Sequence, residues 1–195
     1  MDKKSVSATL LVLYLTLVFS VIGICFSIFV YKDTKIEVTT VAIKSQGVEI
    51  FEDEKLSKKA SELRLSNMDT GLKPATGEVD SETQIPSTIT DTGTSEGYYS
   101  TIYVKSGVNF KINIKDIEIK TEKNQVAADE QRKNIFIAIK DVQNATKSLK
   151  EEINLATFEN VNATQKLTFF IWIGSHGSDE LEGAKISLSL EFLAI

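Results

Sequence analysis

An uncharged run from Ser5 to Tyr31, bracketed by Lys4 and Lys32, dominates the pattern of hydrophobic and polar positions. Coiled as a helix rising about 1.5 Å per residue, it is long enough to cross roughly 30 Å of hydrocarbon with some tilt. A helix is the form expected, because a lone segment in lipid must satisfy its own backbone groups. Apolar residues fall on every face rather than in one stripe, which argues against an amphipathic surface helix. A cleaved signal peptide would have an apolar stretch of only ~7–15 residues and then small residues. Here Ile22, Ile24, Phe26, Phe29 and Val30 fill those places. Ile24 likewise disfavours lipidation of Cys25, which reads as an apolar thiol within the span. The expectation is a transmembrane signal-anchor helix over residues 6–31 that contacts the lipid bilayer, with residues 1–5 cytoplasmic and 32–195 extracytoplasmic. Lys3 and Lys4 nearly balance Lys32 and Lys35, so the orientation follows from the usual export arrangement of an N-terminal anchor and not from charge.

Beyond the span the pattern changes to short alternating runs. Ile36–Ile43 and Gly47–Phe51 are rich in β-branched residues and read as the first strands. Residues 52–65 are ambiguous: Leu56, Ala60 and Leu63 fit a helix, whereas Leu63 and Leu65 alternate, and the segment is read as a connection. Both prolines, Pro74 and Pro86, lie among Thr, Ser, Gly and Asp, which predicts a long surface loop at 67–97. Tyr98–Val104 and Val108–Ile114 then read as adjacent antiparallel strands joined near Lys105–Gly107. The apolar phase flips at Ile117 and Ile119, predicting a bulge or turn near Lys115–Asp116. Asn134–Ile139 is a further strand and 145–153 a short helix. Leu167–Ile173 is a near-continuous apolar strand, joined by a Gly/Ser/Asp/Glu loop to Ala184–Phe192. In that last strand Ile186, Leu188, Leu190 and Phe192 point inward, and Ser187, Ser189 and Glu191 outward. The fold class expected is mainly β: an N-terminal transmembrane helix, then an antiparallel β-sandwich of eight or nine strands, with a jelly-roll as the form considered.

Composition narrows the function classes. Setting aside Lys3, Lys4 and Asp2 leaves 20 basic against 26 acidic residues, a net charge of −6 for the outer part, and no basic cluster interleaved with aromatics. A nucleic-acid-binding face is excluded on that balance. Cys25 is the sole cysteine, so residues 32–195 have neither a disulfide nor a thiolate metal site. His176 is the sole histidine and lies within Ser175-His-Gly-Ser-Asp179, but residues this close in one turn do not readily adopt triad geometry. It reads as an exposed loop residue. A metal set of His176, Asp179, Glu180 and Glu182 lacks defined ligand spacing. The acidic turns at Asp69, Asp80 and Asp91 lack the regular spacing of a calcium loop and read as turn chemistry. Glu151 and Glu152 read as a solvated face. Asn144 and Asn162 open sequons that matter only in a eukaryotic secretory route. Tyr98, Tyr99 and Tyr103 suggest either a binding patch or, more in keeping with strand alternation, core and cross-strand packing. No catalytic, cofactor-binding or metal site is expected.

The run Phe170-Ile-Trp-Ile-Gly174, the acidic turn Asp179–Gly183 and the alternating Lys185–Phe192 resemble the terminal hairpin of exported β-sandwich surface proteins of Gram-positive bacteria. Together with Tyr98–Val104 and the N-terminal apolar segment, they are similar to the TasA/camelysin-like surface and biofilm-matrix proteins. The resemblance implies an exported, non-enzymatic jelly-roll domain that assembles through strand exchange. Its departure from the filament-forming members is the lack of a cleavage site after the apolar run. The functional expectation is a membrane-anchored surface protein with a structural, adhesive or matrix-type binding role, partnered by a surface or matrix protein or by itself. The alternative is an extracytoplasmic accessory or ligand-sensing module of a membrane complex.

Overall fold

The computed structural model describes residues 12–21, 36–65, 97–121, 125–159, 161, 163–174, 181 and 183–195. Two compact units divide the chain, Met1–Thr34 and Lys35–Ile195. In the first, residues 12–21 form a helix, α1. Its large apolar side chains, Val12, Leu13, Tyr14, Leu15, Leu17, Phe19 and Val21, are between 45% and 68% exposed. The Thr16 hydroxyl donates to the Val12 carbonyl at 2.8 Å, so this polar group is satisfied within the helix. Among the described residues no helix is long and apolar enough to cross a membrane. The described stretch covers only part of the span expected at 6–31, and Cys25 lies outside it.

The second unit is mainly β, with two sheets. Its elements among the described residues are β1 (Glu37–Gln46), β2 (Glu49–Phe51), β3 (Gly97–Lys105), β4 (Phe110–Lys120), a short helix α2 (Gln125–Gln131) running into a 3-10 turn (Arg132–Asn134), β5 (Ile135–Ile139), β6 (Thr146–Ser148), β7 (Ile153–Phe158), β8 (Gln165–Ile173) and β9 (Lys185–Ala194). One sheet has the order β1-β9-β4-β7 and the other β2-β3-β8-β5-β6. Alternation does the sorting: Phe110, Ile112 and Ile114 of β4, Ile186, Leu188, Leu190 and Phe192 of β9, and Ile102 and Val104 of β3 are all buried in one cluster shared by both sheets. The inward set expected on β9 is therefore found, although Ser189 on the other parity is also buried.

Several connections differ from expectation. β3 and β4, predicted to be neighbours in a hairpin, belong to different sheets, and so do β8 and β9. Alternation states which side chains face the core, and two successive strands satisfy it equally well by pairing edge to edge or by facing each other across the core. Val108, placed on the inward face by its parity, is 47% exposed because it lies in the crossing loop. β1 pairs with β9 in parallel from Glu37↔Lys185 to Gln46↔Leu193, against the expectation of a wholly antiparallel arrangement. The helix expected at 145–153 is instead β6, a turn and the start of β7. Ala145 and Leu149 are buried there, and strand pairing with β5 outweighs a weak helical spacing. α2 was not foreseen, though Ala, Glu and Gln favour a helix.

The bulge expected near Lys115–Asp116 is present. The register of β4 against β9 shifts between Lys115 and Glu118, and Asp116 takes a left-handed φ of 50°. The loop expected at 67–97 lies outside the described residues apart from Gly97, which opens β3.

Candidate functional site

β2 stops at Phe51, and the chain reverses through a tight turn built on Asp53. The Asp53 carboxylate accepts from the Ser57 N–H at 3.1 Å, the Ser57 hydroxyl at 2.9 Å and the Lys58 N–H at 2.9 Å. These bonds favour the charged form and hold the carboxyl below its ordinary pKa, the Ser57 backbone contributing most. Leu56 sits in the turn at φ 55°, a conformation that side chains of its size rarely adopt.

From this turn the chain passes between the two sheets. The Ala60 N–H bonds to the Ile50 carbonyl on β2, whereas the Ile43 N–H reaches the Ser61 carbonyl and the Leu63 N–H the Val41 carbonyl on β1. Leu63 and Leu65 are buried, so Glu62 and Arg64, on the other parity, turn away from the core. The alternation of Leu63 and Leu65 was visible in the sequence, but it was too short to signal a site.

A cavity of about 370 Å³ opens between this segment and β3. Glu52, Glu62, Arg64 and Leu65 form one wall and Tyr99–Ile102 the other. Glu52 is the fixed centre of the charged wall: its side chain is 18% exposed and takes Lys58 Nζ at 2.7 Å and Arg64 Nε at 3.2 Å. The two cations share this one carboxylate from more exposed positions, Lys58 at 52% and Arg64 at 67% exposure. On the opposite wall Thr101 Oγ1 lies 2.9 Å from Thr168 Oγ1 of β8. Tyr99 packs on a second apolar cluster of Phe136, Ala138, Phe170 and Trp172, in which Phe136 and Trp172 stack at 5.6 Å. The cavity thus offers hydrogen-bond donors, acceptors and apolar surface on supported elements. Among the described residues, neither an imidazole nor a thiol lines it.

The three tyrosines separate. Tyr98 is 1% exposed in the core, Tyr99 lines the cavity, and Tyr103 is half-buried opposite Phe51 and Lys166. Among the described residues, the Tyr98 hydroxyl is buried without a hydrogen-bond partner, as are Trp172 Nε1 and Arg132 Nε. Burial pushes the Tyr98 phenol up to about 12, and the nearby Val38 backbone counters this only in part.

A second polar group gathers on the exposed face of the other sheet around the β4 bulge. Lys44 of β1 pairs with Asp116 at 2.5 Å, and Lys115 with Glu152 at 2.6 Å. Glu152 also accepts from the Asp116 N–H at 3.2 Å. The Lys44 contact holds Asp116 below the usual carboxylate range, and the Lys115 contact does the same for Glu152. Glu152, expected merely to face solvent, thus fastens the bulge. His176, Asp179, Glu180 and Glu182 lie outside the described residues, as does Asn162, whereas Asn144 sits exposed in the β5–β6 turn at φ 58°. Among the described residues no group of three or more His, Cys, Asp or Glu side chains is placed to hold a metal ion. No family model matches the chain, and no curated protein or solved structure is significantly similar to it.

Proposed function

We propose that the chain is a membrane-anchored, extracytoplasmic surface protein, non-enzymatic, with a structural, adhesive or matrix-type binding role. The observation that carries this reading is the first unit. α1 exposes apolar side chains on all sides and satisfies its Thr16 hydroxyl internally, as a lipid-facing helix requires. It lies within the uncharged run 5–31, and a separate compact β unit follows.

A jelly-roll sandwich is the architecture favoured for that unit. With the short β2 set aside, eight strands remain, and they pair first with last (β1–β9), second with seventh (β3–β8), third with sixth (β4–β7) and fourth with fifth (β5–β6). This is the pairing of one long hairpin rolled up on itself. β2, inserted between β1 and β3, adds one reversal of the chain, which accounts for β1 running parallel to β9.

The cavity beside Glu52 and Arg64 favours a second reading, a ligand-sensing module beside a membrane partner. The experiment that tests the main proposal is protease shaving of intact cells carrying a C-terminal epitope. A cell-bound epitope removed by protease supports surface anchoring. An epitope protected until lysis refutes it.

A further inference from the structure

From the register of the first and last strands we infer that the β1–β9 pair is a mechanical clamp, and that the domain resists traction between its anchor side and the C-terminal end of β9. This inference rests on the surface-anchor reading for its role and on strand geometry for its mechanism.

β1 follows directly on the first unit, so tension from an anchor enters the domain at Glu37. Tension from the opposite direction enters at Ala194. Because the two strands are parallel, these points lie at opposite ends of the ladder, which spans nine paired positions from Glu37↔Lys185 to Gln46↔Leu193. A pull along the strands therefore loads the ladder in shear, and its hydrogen bonds must yield together. Antiparallel pairing would bring the same two points to one end, where the bonds would open one after another.

The surroundings prevent β1 from peeling away instead. Ile36, Val38 and Val41 are 0–1% exposed in the core. On the edge away from β9, β1 bonds to Ser61 and Leu63, with a bridge from Ala42 to Glu62. The Glu37 N–H reaches the Ala184 carbonyl at 2.9 Å, and the Thr39 hydroxyl the Ile186 carbonyl at 3.2 Å, which extends the grip through the register shift at Val38–Thr40. Lys44 reaches across β9 to Asp116 on β4. β9 is held equally on its far side, where β4 pairs with it from Phe110↔Ala194 to Lys120↔Lys185.

Single-molecule force spectroscopy on the full chain in detergent tests this, with two attachment geometries compared at one loading rate. In the first, handles are placed at Met1 and Ile195. In the second, a handle at an exposed Gln46→Cys, in a Cys25→Ser background, is paired with Ile195, so that the same two strands are pulled from one end. The unfolding force in the first geometry is expected to be severalfold that in the second. Equal forces, or a lower force in the first, overturn the clamp and leave the anchor reading standing. An epitope protected in the shaving experiment removes the anchor role whatever the force ratio.

Discussion

Replacing Tyr98 with Phe removes a single oxygen from a site that leaves almost no room for compensation. The ring is 1% exposed, and its hydroxyl has no hydrogen-bond partner among the described residues. Burying a hydroxyl without a partner costs about 1–3 kcal/mol, while Phe keeps the apolar contacts, so Tyr98→Phe is expected to stabilise the fold by about 1 kcal/mol or more at neutral pH. For a domain of this size that is a rise in melting temperature of roughly 2–4 °C. The alkaline limb provides an independent check. The unfolded phenol releases its proton near its ordinary value of 10, the folded one only at about 12. The stabilising difference is therefore complete below pH 10 and is lost as pH rises from 10 to 12, a loss of about 3 kcal/mol in the wild type that the Phe variant lacks. Urea titrations at pH 7, 10 and 11, followed by Trp172 fluorescence, measure both effects, with the variant correcting for other groups that titrate there. A variant destabilised by more than about 1 kcal/mol at pH 7, with an alkaline slope like that of the wild type, would refute the reasoning and indicate that the Val38 backbone bonds the hydroxyl after all.

Other outcomes are open to equally direct measurement. Gly47 has φ +78° and a Cβ there would lie 2.6 Å from Ala194 Cβ, whereas Gly183 at φ +69° has nothing within 4 Å. Gly183→Ala should cost about 1–2 kcal/mol from backbone strain alone, and Gly47→Ala clearly more, as read from denaturant midpoints; equal costs would remove the Ala194 contact from the explanation. Asp116 and Glu152 have lowered pKa values in the fold, so their stabilising effect is present above the ordinary carboxylate range and lost as pH falls through the folded values. Acid titrations of Asp116→Asn should accordingly show a shallower decline in stability than wild type below pH 5, and 1 M salt should narrow the difference. Trp172 is the sole tryptophan and is 0% exposed, so its emission should be blue-shifted and insensitive to iodide, and ready quenching would contradict the second cluster. Phe169→Ala, at a site 0% exposed, should destabilise by about 3–5 kcal/mol in the same denaturant assay.

The sequence was most informative where a physical constraint is local. Period-two alternation placed β9, β3 and β5 nearly to the residue, and the change of parity from Ile114 to Ile117 located the Asp116 bulge, because each strand displays its buried face in its own residues. Partner choice is different. Nothing in Tyr98–Val104 or Val108–Ile114 distinguishes a hairpin from a crossing between sheets, since both bury the same side chains. The parallel β1–β9 pair depends on the three-residue β2, which adds a reversal too brief to alter the overall pattern. The cavity was hidden for the same reason. Tyr99 is far in sequence from Glu52 and Arg64, and they meet only because residues 59–65 run from one sheet to the other.

The place of β9 within its sheet carries a consequence for biosynthesis. It lies between β1 and β4, so among the described strands β1 has no neighbour in its sheet, and β4 only β7, until the residues from Lys185 onward are available. The sheet therefore cannot close in step with emergence from the ribosome. Until β9 arrives, β1 and one edge of β4 stand unpaired and need protection from association with other chains.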